Sequence, residues 1–173
     1  MDTEAADFAS FYLRSRDDCL RTVVASTGDL DQARDLVDEA FARAWASWRK
    51  VRRHPAPRAW VVRTALNAGV SSWRRRPREV PLTGDAGFPA ASEADGLVDR
   101  DIMAALLRLP ERQRQVVALR LFLDLDTAAT AEVLGIAPGT VTAHMARAIA
   151  TLRAELPAAR EDTDGYEGTE VLK

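Results

Sequence analysis

Apolar residues along this 173-residue chain recur at intervals of three and four almost throughout. No stretch alternates with the period of two that a half-buried strand requires. The spacing predicts a first helix over about 4–26, with Phe8, Phe11, Tyr12, Cys19, Leu20 and Val23 on or beside one stripe. Gly28 ends that region, and Asp29 or Asp31 is placed to cap the next helix by accepting from an unpaired backbone N–H. The second helix, over about 30–50, gathers Val37, Phe41, Ala44, Trp45 and Trp48 and leaves Asp35, Asp38, Glu39 and Arg43 mostly elsewhere on its surface. His54-Pro55-Ala56-Pro57 breaks the pattern, because proline has no amide to donate and restricts its predecessor. A third helix follows over about 57–75, from Trp60 through Val61, Ala65, Leu66 and Val70 to Trp73.

From Pro77 to about Glu93 the periodicity gives way to Pro, Gly, Ala, Ser and acids, the composition of a linker. It resumes near Asp95 with Leu97, Ile102, Leu106 and Leu109. Pro110 opens a helix over about 110–123, and two more are predicted over 127–134 and 138–155 before Pro157. The last two form a helix-turn-helix pattern. Gly135 supplies the left-handed turn residue and Pro138 has its φ preset for a first helical position. Ala131, Leu134, Ile136, Val141, Met145, Ile149 and Leu152 would make its small core, leaving Thr140, Thr142, Ala143, His144 and Arg147 on the exposed face of the second helix. Such a helix enters a DNA major groove from its N-terminal end, although an ordinary helical hairpin with Gly at its turn shares the pattern. The expected fold is therefore all-α, with two small helical domains at 1–78 and 96–156. A flexible acidic linker is expected at 79–95 and a disordered acidic tail at 157–173.

Charge sharpens this division. The net charge is only -2, yet eleven Lys or Arg residues and no Asp or Glu lie between Ala40 and Arg78, interleaved with Trp48, Trp60 and Trp73. Cations for phosphates and flat rings for stacking suit a nucleic acid with exposed bases, though a solvated charged surface over buried tryptophans would look alike. The 79–101 stretch holds six acids against Arg100 alone. Cys19 is the only cysteine and His54 and His144 the only histidines, so no intramolecular disulfide, metal cluster or cofactor site is expected. No Ser/His/Asp set, paired-carboxylate pocket or phosphate loop points to an enzyme. The acidic N-terminus lacks a signal-peptide pattern and no run has the length of a membrane span, so a cytoplasmic location is expected.

Three segments then resemble one family. Asp35–Trp45 (DLVDEAFARAW) is similar to the core-polymerase-binding helix of extracytoplasmic-function (ECF) RNA polymerase sigma factors. Pro57–Asn67 (PRAWVVRTALN), followed by Trp73-Arg74-Arg75-Arg76, resembles their promoter-melting and -10-reading segment. Leu109–Arg120 (LPERQRQVVALR), with Leu134–Val141 (LGIAPGTV), resembles their -35-reading region. The order and spacing match, most like the small actinobacterial members. The resemblance implies a promoter-specificity subunit in which Asp35, Asp38, Glu39 and Arg43 bind core RNA polymerase through the clamp helices of its largest subunit. It implies that Arg58, Trp60, Arg63, Asn67, Trp73, Arg74, Arg75 and Arg76 hold the -10 element, while Thr140, Thr142, Ala143, His144 and Arg147 face the -35 element. The β-subunit flap and an anti-sigma factor are further implied partners. Trp60 and Trp73 serve equally well as core residues. Thr142 stands where a Lys is frequent in the family, and Ala137 where a Ser or Thr cap is usual, so weak DNA binding by the chain alone is expected. A free-standing helix-turn-helix regulator, binding duplex without polymerase, and a sigma-shaped decoy are the competing readings.

Overall fold

The computed structural model describes residues 3–75 and 97–155, with side chains described over 3–69 and 97–154. The predicted linker and acidic tail lie outside the described residues. Eight helices in order make up the described fold: α1 (Thr3–Thr27), α2 (Leu30–Ala46), α3 (Trp48–Val51), α4 (Pro57–Arg75), α5 (Arg100–Leu107), α6 (Glu111–Phe122), α7 (Thr127–Leu134) and α8 (Pro138–Glu155).

The local signals act where the sequence places them. Gly28 closes α1 with φ +80°, and of the two candidate caps it is Asp29 that accepts from the Gln32 amide at 2.9 Å. Gly135 closes α7 at φ 64°, and Pro138 is the first residue of α8. Asp99 and Asp126 cap α5 and α7 in the same manner as Asp29. Asp124, in the turn before α7, is the one non-glycine residue with positive φ among those described, in a region that Asp tolerates better than most residues.

One predicted helix is two. Ser47 leaves helical geometry (φ −121°, ψ 24°), its amide still donating to the Arg43 and Ala44 carbonyls while its carbonyl accepts from the Lys50 and Val51 amides. Trp48 stays in register with Phe41 and Ala44 across this kink, which is why periodicity alone does not reveal it. Its ring packs against Phe8 and Phe11 at centroid distances of 5.2 and 5.0 Å, and its indole Nε1 donates to Asp7 Oδ2 at 3.2 Å.

Three residues of the predicted apolar pattern, Trp45, Ile102 and Ile149, lie outside the core, and so does Leu121 of α6. Trp45 is 46% exposed, resting one face on Phe8 at the rim of the α1–α2 contact, and Ile149 is 36% exposed. On α8 the inward row is Val141, Met145, Ala148 and Leu152, with the small Ala148 fully buried.

The core does not divide as the sequence does. A small cluster of Val116, Ala131 and Val141 belongs to the helix-turn-helix. The main cluster is continuous from Phe11, Leu20, Val23, Val37 and Phe41 to Met103, Leu106, Leu109, Val117 and Leu119. It exists because α6 packs along α1, α5 touches α1, and α7 lies against α4. Near the start of α6, Arg114 Nε donates to the Ser26 carbonyl at the end of α1, 3.1 Å away. The same guanidinium is half-buried, and that burial lowers its pKa from the usual arginine value while nearby Glu111 acts in the opposite sense.

Candidate promoter and polymerase interface

Three surfaces carry the residues singled out in the sequence. On α2, Asp35, Asp38, Glu39 and Arg43 are all exposed, and Val37, Ala40, Phe41 and Ala44 are buried beneath them. Arg43 pairs with Glu39 one turn earlier. With Asp31 in the first turn and Arg43 in the last, charges complement the helix macrodipole, while the middle of the outer face is acidic. Trp45 extends that outer face at its C-terminal end. Sequence spacing assigned it to the core, and only its three-dimensional position reveals a large ring beside the acids.

On α4, Arg63 and Asn67 are exposed and one turn apart. Trp60 is half-buried and packs against the core, so only part of its ring reaches the surface. Trp73, Arg74, Arg75 and Arg76 lie outside the described side chains. The basic stretch is less free than its composition suggests. Arg58 pairs with Asp18 at 3.0 Å, Arg49 with Glu4 at 3.3 Å and Arg52 with Asp7 at 3.7 Å, so acids of α1 offset part of the positive face. These counter-charges come from 40 or more residues away in sequence, and no local motif announces them.

Cys19 lies under this face, fully buried, with its thiol directed at the Arg58 carbonyl, 3.9 Å away. Burial pushes its pKa up to about 12, outweighing the opposing influence of the Arg58 charge, and Asp18 adds to the rise. A protonated, enclosed thiol is a packing group.

On α8, Thr140, Thr142 and Arg147 are exposed, whereas Ala143 and His144 are half-buried. Thr142 Oγ1 donates back to the Pro138 carbonyl at 3.2 Å, and a Cβ on Gly139 would meet open space. Ala137 offers only its carbonyl to the first turn, accepting from the Thr140 and Val141 amides. The face is polar and modest in charge, and α7 packs against α8 as the supporting helix of the motif.

Comparison with known proteins identifies the family. The Sigma-70 region 2 profile matches residues 11–79, spanning most of α1 through α4, and the Sigma-70, region 4 profile matches residues 99–152. RNA polymerase sigma-E factor of Streptomyces coelicolor is 33% identical over 162 residues, 92% of each chain. The chain belongs to the sigma-70 family of RNA polymerase sigma factors. ECF RNA polymerase sigma factor SigL of Mycobacterium tuberculosis is 34% identical over 143 residues, 79% of this chain and 81% of that one. Among solved structures, the sigma factor RpoE of Bartonella quintana, crystallised with the anti-sigma factor NepR, superimposes with a TM-score of 0.72 at 26% identity, covering 89% of this chain and 99% of that one. As a sigma factor, the chain is a promoter-recognition subunit for RNA polymerase, a regulator of transcription initiation. No helix among the described residues of this sigma factor is long and apolar enough to cross a membrane.

Proposed function

We propose that this sigma factor works through three separate surfaces: an acidic polymerase-docking face on α2, a -10-reading face on α4 and a -35-reading face on α8. The observation that carries the assignment is that Asp35, Asp38, Glu39, Arg63, Asn67, Thr140, Thr142 and Arg147 are all exposed, while the apolar residues interleaved with them are buried. Residues 1–78 act as the polymerase-binding and -10 module and residues 96–156 as the -35 module, with 79–95 connecting them and 157–173 as a tail.

Asp35, Asp38 and Glu39 present carboxylates to a basic partner, the clamp helices of the largest polymerase subunit, and Arg43 fixes Glu39 within that face. Arg63 supplies a cation for phosphate, and the Asn67 amide can bond a base edge in either polarity. Arg58, Trp60, Trp73, Arg74, Arg75 and Arg76 complete the -10 segment. Thr140, Thr142, Ala143, His144 and Arg147 face the -35 duplex, and the second module meets the β-subunit flap. An anti-sigma factor, the kind of partner with which RpoE of Bartonella quintana was crystallised, is the regulator to look for. The work is done in the cytoplasm, where the polymerase is.

Run-off transcription with purified core polymerase on a fragmented genomic library from the source tests the proposal. The expected result is a set of discrete transcripts sharing two upstream boxes. Stable polymerase binding without transcripts would indicate a decoy, and absence of polymerase binding would sink the assignment of α2. Charge reversal at Arg74 and Arg75 is expected to abolish promoter opening and leave polymerase binding intact.

A further inference from the structure

Three carboxylates of α1 are turned towards the basic segment of the same module. At about 100° per residue, Glu4, Asp7 and Asp18 fall within about 60° of one another around the helix, on the side that also carries buried Phe11, Ser15 and Thr22. Each meets a cation from 40 or more residues away in the chain. Glu4 holds Arg49, both carboxylate oxygens lying 3.3 Å from its Nε. Asp7 Oδ2 stands 3.7 Å from Arg52 Nη1 and also accepts from the Trp48 indole at 3.2 Å. Asp18 Oδ2 accepts from Arg58 at 3.0 Å, and its other oxygen accepts from Arg21 on the same helix at 2.8 Å. Asp17, next in the chain, lies about 100° further round, is more exposed, and pairs with Arg16 of its own helix at 3.6 Å.

Stability does not account for this stripe. The Arg49, Arg52 and Arg58 side chains are 84%, 44% and 45% exposed, and pairs as open to water as these add little to a fold. Carboxylate and phosphate bind a guanidinium through the same N–H groups, so the donors that α1 occupies are the ones a DNA backbone would use. A carboxylate tethered in the same chain competes at high effective concentration. Once displaced, it also stands as a negative charge beside the strand. Lys50 and Arg53, exposed on the same turns, have no carboxylate partner among the described residues. The segment therefore still attracts a polyanion while three of its arginines are held.

We infer that Glu4, Asp7 and Asp18 are built-in competitors of the DNA backbone. They occupy Arg49, Arg52 and Arg58 until phosphates of the -10 strand take their place, and so set how tightly this face holds a strand. The inference rests on the assignment of the -10 segment to this face, to which Arg58 belongs. It adds α1, a helix given no DNA contact by that assignment, to the elements that control DNA affinity.

The test is a double-mutant cycle in the holoenzyme. Wild-type and variant chains, bound to core polymerase, are titrated with a labelled single strand carrying the -10 region of a promoter identified by run-off transcription, and fluorescence anisotropy gives Kd. Asp18→Asn is expected to tighten binding roughly two- to fivefold, the range that an exposed ion pair can hold back. Arg58→Gln is expected to weaken binding, and Asp18→Asn added to it should change nothing further. Asp17→Asn, the same loss of charge one residue away, should match wild type. Glu4→Gln with Arg49→Gln repeats the cycle at the other end of α1, so that a fold weakened by loss of Asp18 does not decide the result. Absence of any gain from Asp18→Asn and Glu4→Gln would overturn the inference. So would a gain that Asp17→Asn equals, or that persists without the paired arginine, since either reports net charge alone. If instead Arg58→Gln and Arg49→Gln leave strand binding unchanged, or the wild-type holoenzyme binds no strand, the assignment of the -10 segment fails and this inference falls with it.

Discussion

At the scale of single residues, the structure converts several sequence features into energies. Cys19 has a folded pKa raised from 9.0 to about 12 by burial, whereas an exposed thiol ionises near the lower value. The unfolded chain therefore releases this proton first as pH rises, and by linkage the folded state loses stability between about pH 9 and pH 12. Denaturant melts across that range should show the decline, and Cys19→Ala should flatten its slope while lowering stability at neutral pH through the cavity it leaves. Maleimide labelling of the native wild-type chain at pH 8 should be negligible. The second residue-scale prediction concerns Thr142. Its side chain is exposed and turned back onto the Pro138 carbonyl, so Thr142→Lys would place a cation on the proposed -35 face without disturbing the core. Mobility shifts on a promoter duplex should show tighter binding and a salt dependence steeper by about 0.9 in log–log slope, the increment expected for one added phosphate contact.

At the scale of elements, the turn glycines separate backbone strain from crowding. Gly28 and Gly135 both sit at positive φ, but a Cβ on Gly28 would meet Leu107 and one on Gly135 would meet open space. Gly135→Ala should cost about 1–2 kcal/mol from the left-handed conformation alone. Gly28→Ala should cost more in a thermal melt, because Leu107 must also move. Helix starts and stops were legible because their causes are local: a carboxylate before α2, prolines before α4 and α6, a left-handed glycine after α7. The Ser47 kink was not legible, since the apolar stripe runs through it unbroken. Nor was the orientation of Trp45, which sits one position past Ala44 at the border where a helical stripe meets solvent. Of the residues proposed to hold the -10 element, Arg63 and Asn67 share a face as their spacing requires, whereas the Arg58–Asp18 pair joins residues with no sequence relation that would reveal it.

At the scale of the whole molecule, composition separated two modules and structure joins them through one core. The acidic run and loss of periodicity after Pro77 mark a boundary in the sequence, and the two family regions match residues 11–79 and 99–152. Periodicity reports which face of a helix is buried and is silent about the partner. That α6 pairs with α1, across 88 residues in the case of Arg114 and Ser26, is set by the summed fit of many side chains. Because that fit is continuous, calorimetry of the free chain should show one cooperative transition in place of two. Arg114→Ala should lower its midpoint, or split it, by removing a charge-assisted hydrogen bond between the modules.

Trp45 gives this protein an optical handle on its own assembly. Its indole is the water-exposed one among the described tryptophans, Trp48 being enclosed by Phe8 and Phe11 and Trp60 half-sunk in the core. With Trp73 replaced by Phe, the long-wavelength side of the emission spectrum would therefore originate largely from a single ring seven residues past Asp38 on the same helix. A partner settling on α2 would shift that light to shorter wavelength, and iodide would lose its grip on the fluorescence. An event on α8 would leave both unchanged, so the unlabelled chain can report which of its surfaces has been occupied.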